Sequence, residues 1–150
     1  MMETMTLTRA LAPEDFQEVI EIEQFSYDDP WQYRDISEYY MRDNHWGIVA
    51  TDESLIQAFA WYSVEPVYLR LWNIAAHPDS RREGYATRVI EDLKLRLNID
   101  CSSGSFIVAD VRETNLNALL FFQSNEFKCV KILPDHYDDG ENCYLMRFDK

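Results

Sequence analysis

The spacing of apolar positions changes several times along this chain, and each change marks an element. Residues 4–8 predict a first strand. Leu11-Ala12-Pro13 then opens a helix: Pro suits a first turn, and Glu14 and Asp15 complement the helix dipole. Phe16, Val19, Ile20 and Glu23 keep helical spacing and carry that helix to residue 23. Phe25-Ser26-Tyr27-Asp28-Asp29-Pro30-Trp31 interrupts it, and residues 31–41 predict a second helix with Ile36, Tyr39 and Tyr40 on one side. After Asn44 the pattern turns to strands. Residues 46–51 and 55–64 predict two of them, joined by the turn Asp52-Glu53-Ser54. Glu65-Pro66 breaks the second. Residues 67–76 predict a third, with Val67, Leu69, Leu71, Asn73 and Ala75 on one face and Tyr68, Arg70, Trp72, Ile74 and Ala76 on the other.

A helix begins near Gly84, and its apolar Ala86, Val89, Ile90, Leu93 and Leu97 match a 3.6-residue period. Cys101-Ser102-Ser103-Gly104 reads as a loop and residues 105–112 as a strand. Thr114 or Asn115 caps the next helix, whose Leu116, Leu119, Leu120 and Gln123 share a face. Residues 127–133 and 142–148 predict two last strands, joined by a polar segment with Asp139-Gly140 as turn residues. The order β-α-α-β-β-β-α-β-α-β-β, with no repeat and no interdomain linker, reads as a single layered domain over residues 1–150, α/β or α+β in class, with helices covering a mixed sheet.

Composition narrows the class. The chain is 47% hydrophobic and 14% aromatic, enough for a core. No apolar run approaches the ~20 residues that span a bilayer, and Met-Met-Glu-Thr-Met-Thr has no basic region followed by an apolar one, so no membrane span or secretory signal is expected. Cys101, Cys129 and Cys143 are odd in number and widely spaced, which suggests neither a disulfide framework nor a metal site but reduced thiols in a cytoplasmic protein. The net charge of −13 argues against nucleic acid and for a cationic partner, such as a free amine or a basic polypeptide; acidity that serves only solubility is the plainer alternative.

The chemistry concentrates where the strand Leu71-Trp72-Asn73-Ile74-Ala75-Ala76 stops at His77-Pro78 and meets Asp79-Ser80-Arg81-Arg82-Glu83-Gly84 before the helix. The first N–H groups of a helix have no partner within it, and the helix dipole favours negative charge there. Gly84 lets the main chain approach a ligand and Ala86 keeps the next turn clear. A phosphate or pyrophosphate grip follows from these residues alone.

Arg81-Arg82-Glu83-Gly84-Tyr85-Ala86 resembles the (Arg/Gln)-x-x-Gly-x-(Gly/Ala) loop of the GNAT superfamily of acetyl-CoA-dependent N-acetyltransferases. The run from Val111 and Arg112 through Asn115 and Ala118 to Phe127 is similar to that family's second motif, and the stretch from Glu21 to Trp31 resembles its RimI-like branch, which acetylates the N-terminal alanine of a ribosomal protein. The resemblance implies a mixed, mostly antiparallel central sheet of about seven strands with about four flanking helices. It implies acetyl-CoA as donor substrate. Arg81, Arg82, Glu83, Gly84, Tyr85, Ala86 and Thr87 would hold the pyrophosphate, largely by main chain. Ile74, Ala75 and Ala76 would pair with the pantetheine arm. Asn115 would bond the same arm, with Ala118 lining the thiol end and Phe122 beside it.

The family's glutamate base falls on Asp110, one methylene shorter, which could equally be a carboxylate paired with Arg112 or a neighbouring lysine. Its tyrosine acid falls on Phe122, which has no proton to give. Tyr137 and His136 in the late loop are the candidate replacements, and loop residues without contact to the cofactor are the alternative reading of both. Glu126 stands where the family has glycine. Tyr27, Trp31, Tyr33 and Tyr137 could wall the acceptor site, with Asp28 and Asp29 attracting a cation; ordinary packing is the alternative, favoured for Trp31. A protein or peptide N-terminus is the expected acceptor. A small-amine acetyltransferase and a catalytically weak CoA-binding regulatory module are the alternatives, and a nucleotide-binding protein of another kind lacks its lysine and glycine signatures.

Overall fold

A computed structural model describes residues 7–53, 55–100 and 105–150. Residues 4–6 of the expected first strand, Ser54 of the 52–54 turn and the loop Cys101-Ser102-Ser103-Gly104 lie outside the described residues. The chain forms two compact units, one of residues 1–63 and 73–93, the other of residues 64–72 and 94–150.

The first unit carries β1 (Leu7–Ala10), α1 (Phe16–Ser26), α2 (Tyr33–Tyr40), β2 (His45–Asp52) and β3 (Leu55–Val64). Pro13 opens the 3-10 turn that leads into α1. Asp15, fixed by Arg9 at 2.7 Å, accepts the Ala12 N–H, so the helix start is tied to β1. β1, β2 and β3 pair antiparallel in sequence, with a bulge at Ala50/Thr51. Phe16, Val19 and Ile20 of the first predicted helix face and Ile36 and Tyr39 of the second meet Leu11, Phe59 and Trp61 in one core. Trp31 packs on that core, its ring 6.3 Å from Trp61 and 5.4 Å from Tyr39. Gly47 sits where a Cβ would lie 2.8 Å from both the Leu11 Cβ and the Trp61 ring.

The strand β4 (Tyr68–Ala76) begins in the second unit and ends in the first, and the helix α3 (Tyr85–Asp100) runs the other way. The second unit adds β5 (Phe106–Arg112), α4 (Leu116–Ser124), β6 (Lys128–Leu133) and β7 (Cys143–Asp149). β4 and β5 pair parallel from Tyr68↔Phe106 to Leu71↔Ala109, as the intervening helix requires. β5/β7 and β6/β7 pair antiparallel. Among the described residues the strand order is β1-β2-β3-β4-β5-β7-β6, a seven-stranded, mostly antiparallel sheet with four α-helices.

The shared face of α4 turns mostly to solvent, with Leu119 half-buried and Gln123 exposed. Leu116 and Leu120 are 63% and 53% exposed, while α4 buries Phe122 and half-buries Ala118 and Phe121. Leu116-Asn117-Ala118-Leu119-Leu120-Phe121-Phe122 is apolar nearly all round, so its spacing selects no stripe. The aromatic rings bury more area, and they turn inward.

Candidate active site

The residues of the expected anion grip fall in the first unit. After Ala76, Pro78–Ser80 form a 3-10 turn closed by the Ser80 N–H on the His77 carbonyl at 2.9 Å. Gln57 of β3 holds this turn twice. Its carbonyl accepts the His77 N–H at 2.7 Å, and its side-chain oxygen accepts the Ser80 hydroxyl. Arg82 and Gly84 both adopt positive φ, 70° and 86°. Backbone that alternates in this way turns successive N–H groups toward one side and makes an anion-binding concavity. The Arg88 N–H on the Gly84 carbonyl at 3.0 Å is the first helical bond of α3, so the N–H groups of Tyr85, Ala86 and Thr87 are the helix's unpaired first turn. Nothing lies within 4 Å of where a Gly84 Cβ would be: the backbone angle and open approach require glycine there, not crowding. Arg81 reaches back to the Ser26 hydroxyl at 3.2 Å, and the Tyr85 hydroxyl donates to Asp52 at 3.1 Å. Arg82, Glu83 and Arg88 are exposed.

Beside Ile74, Ala75 and Ala76 lies a group that spacing alone did not single out. Glu23 of α1 is 1% exposed and accepts the Trp31 N–H at 3.2 Å and the Asn73 side-chain amide. Burial pushes its carboxyl up to about 7. One turn on, the Tyr27 hydroxyl donates to the Ile74 carbonyl at 2.5 Å, and burial first, then Glu23, raises its pKa. The signal was available: Glu23 occupies an apolar position of α1, and Gln57 interrupts an apolar run.

The second unit brings Asp110, His136 and Tyr137 together. Asp110 Oδ2 accepts from Arg70 of β4 at 2.8 Å and lies 3.4 Å from His136 Nε2. Its partner is thus Arg70, not Arg112 or a lysine. The His136 and Tyr137 rings meet edge to face at 5.0 Å. Arg112 stacks on Tyr137 at 4.0 Å and pairs with Asp139 and Glu141 at 2.9 and 2.8 Å. The late loop is tightly tied. Tyr137 N–H donates to the Glu141 carbonyl at 3.2 Å, and Gly140 N–H to the Tyr137 carbonyl at 2.8 Å, with Gly140 at φ 85°. Burial, then the bond its hydroxyl makes to Cys143, raises the Tyr137 pKa, so it keeps its proton. Burial and the nearby Asp110 charge push the Cys143 thiol up.

Asn115 caps α4, its Oδ1 accepting the Ala118 N–H at 3.2 Å. Phe122 is buried between Phe121 and Phe127, at 5.4 and 5.1 Å. Tyr33 is exposed and lies against Phe16 at 5.9 Å. A cavity of about 730 Å³ in the second unit, lined by Leu119, Gln123, Met146 and Phe148 among others, holds none of the candidate catalytic residues.

A tight turn into a helix start after the fourth strand of a mixed sheet is the arrangement that the sequence resemblance implies. Residues 14–127 match the model of the acetyltransferase (GNAT) family, and the chain belongs to that family. An N-alpha-acetyltransferase of Saccharolobus solfataricus is 35% identical over 74 residues; that match covers 49% of this chain and 44% of the relative. The chain thus aligns with less than half of that relative's length. The ribosomal-protein-S18-alanine N-acetyltransferase of Escherichia coli is similar in structure, with a TM-score of 0.84, 25% identity and coverage of 97% of this chain and 94% of that one. Arabidopsis thaliana NAA60, solved with a bisubstrate analogue, has the same fold at a TM-score of 0.82 and 15% identity, covering 97% and 99%. Among the described residues, no helix is long and apolar enough to cross a membrane.

Proposed function

We propose that the chain, acting as one domain, transfers acetyl from acetyl-CoA to the α-amine of a protein or peptide, by direct attack in a ternary complex. The family match runs through both units, which supports a single acetyltransferase domain. The names of the Saccharolobus and Escherichia relatives support an N-terminal acceptor and a RimI-like affinity. The observation that carries the chemistry is Asp110 with His136 Nε2 at 3.4 Å, a carboxylate and an imidazole at one point of the second unit.

In this reading the amine nitrogen attacks the thioester carbonyl, the new C–N bond forms, and the C–S bond breaks. The N–H groups of Tyr85, Ala86 and Thr87 hold the donor's pyrophosphate, while Ile74, Ala75 and Ala76 flank its pantetheine arm, Asn115 bonds the same arm and Ala118 lines its thiol end. A peptide α-amine has a pKa near 7.7–8.0, so about half or less is protonated at pH 8 and little base strength is needed. Asp110 and His136 accept the proton that the attacking amine sheds. Phe122 offers no acid. The leaving thiol, with a pKa near 8.5 like that of cysteine, departs as thiolate or takes the Tyr137 proton.

The test supplies acetyl-CoA with a panel of peptides of varied first residue and of small amines, measuring CoA thiol release and locating the acetyl group by mass spectrometry. Acetyl on peptide α-amines is expected. Transfer to small amines alone rejects the N-terminal reading. Donor binding without release from any acceptor favours the regulatory module that the Phe122 departure suggests. In an active chain, His136→Ala lowers kcat by about 10²–10⁴.

A further inference from the structure

Spacing along the chain hid one constellation, because its donors come from β5, the late loop and the first residue of β7. The Cys143 Sγ, a His136 ring nitrogen and an Asp110 carboxylate oxygen all lie within 4.8 Å of one another. The His136 Nε2 to Asp110 Oδ2 separation, 3.4 Å, is close to the edge of a tetrahedron with metal–ligand bonds of about 2.0–2.1 Å, roughly 3.3 Å. Two further observations point the same way. The other oxygen, Asp110 Oδ1, is buried and has no hydrogen-bond partner, and a carboxylate that bound the cation through both oxygens would satisfy it. The donors are also held as metal ligands are, by an outer layer of hydrogen bonds. Arg70 donates to Asp110 Oδ2 at 2.8 Å, and the Tyr137 hydroxyl and the Val111 N–H both reach the Cys143 sulfur. The sulfur is buried, while the His136 and Asp110 side chains remain 36% and 23% exposed, which leaves a way in.

We propose that Asp110, His136 and Cys143 bind one divalent cation of the zinc class, with a fourth position open. A thiolate, imidazole and carboxylate set suits zinc or cobalt and not magnesium or calcium, which take oxygen ligands. The consequence for catalysis rests on the function proposed above: the ion takes the carboxylate and imidazole that would receive the amine proton, so zinc opposes acetyl transfer, and a chelator restores it.

The experiment titrates the full chain with Co²⁺ and follows thiolate-to-metal charge-transfer absorption, then displaces the cobalt with Zn²⁺. One equivalent is expected to saturate the band. Cys143→Ser abolishes it, a combined Cys101→Ser and Cys129→Ser variant keeps it, and His136→Asn or Asp110→Asn weakens binding about 10–100-fold. Absence of the band in the unaltered chain overturns the proposal, as does a band that survives Cys143→Ser. Should Cys143→Ser fail to fold, the two accessible ligands decide: binding unchanged in both His136→Asn and Asp110→Asn overturns it. Acetyl transfer is assayed in parallel. A cobalt band in a chain that acetylates no amine rejects the catalytic reading and leaves the metal site standing; transfer without a band does the reverse.

Discussion

Glu126 stands at φ 72°, a left-handed backbone conformation that costs a side chain roughly 1–2 kcal/mol. The Phe127 N–H bonds the Phe122 carbonyl at 3.0 Å and the Glu126 N–H the Gln123 carbonyl at 3.1 Å, the helix-closing pattern that favours glycine at this position. The family's glycine is therefore a backbone requirement that this chain meets under strain. Relief of strain outweighs glycine's larger unfolded-state entropy and the exposed Lys94 contact at 3.5 Å, so Glu126→Gly is expected to stabilise the protein by roughly 0.5–1 kcal/mol in urea unfolding. Glu23 makes the opposite kind of demand. Its carboxyl moves from 4.5 to about 7 on folding, so the folded chain favours the protonated form. That contribution is fully present below pH 4.5 and is lost as the pH rises through about 7. Glu23→Gln should therefore gain stability relative to the unaltered chain across that window, on the order of 3 kcal/mol for the full shift, read as the difference in unfolding free energy between about pH 5 and pH 8. At Gly47 the 2.8 Å approach to the Leu11 Cβ leaves no space for a methyl group, and Gly47→Ala should cost about 1–3 kcal/mol by the same measurement.

The turn before α3 is held by its own backbone bond and by Gln57 of β3, through both main chain and side chain. Gln57→Ala removes the Ser80 hydroxyl's partner while leaving the main-chain bond to His77. A loss near 1 kcal/mol of ordering predicts an acetyl-CoA KM raised about fivefold with kcat little changed, and equal KM values would separate the turn from donor binding. This element was legible in advance, because Gly84, the helix period of Val89, Ile90, Leu93 and Leu97, and the strand before them each depend on local spacing, and the strand borders at 55–64 were readable for the same reason. The face of α4 was not, since a helix apolar nearly all round leaves the choice to packing. Nor was the company of Asp110. Arg70, His136 and Cys143 reach it from three distant segments through the β4/β5/β7 pairing and the tied late loop, and only the register of the sheet brings them near.

At the scale of the whole molecule, the charge of −13 acts on whatever approaches. For a basic peptide acceptor, raising ionic strength through the range where the Debye length falls from about 10 Å to 3 Å should raise KM, whereas a neutral peptide of the same first residue should be unaffected. Equal salt dependence of the two would assign the acidity to solubility alone. That same charge also bears on the strand that ends the sheet. β6 closes the order β5-β7-β6 with Val130 and Ile132 about half exposed and only Lys128 and Lys131 as charges along it. An open strand edge with apolar side chains is a template for another strand, and at neutral pH the mutual repulsion of like-charged molecules keeps such edges apart. Near the isoelectric point, about 4.5, that repulsion vanishes. Turbidity should rise there and clear on return to neutral pH, and Val130→Lys should suppress it, so the colloidal behaviour of the protein would be governed by a single strand remote in sequence from the acetyl-CoA turn.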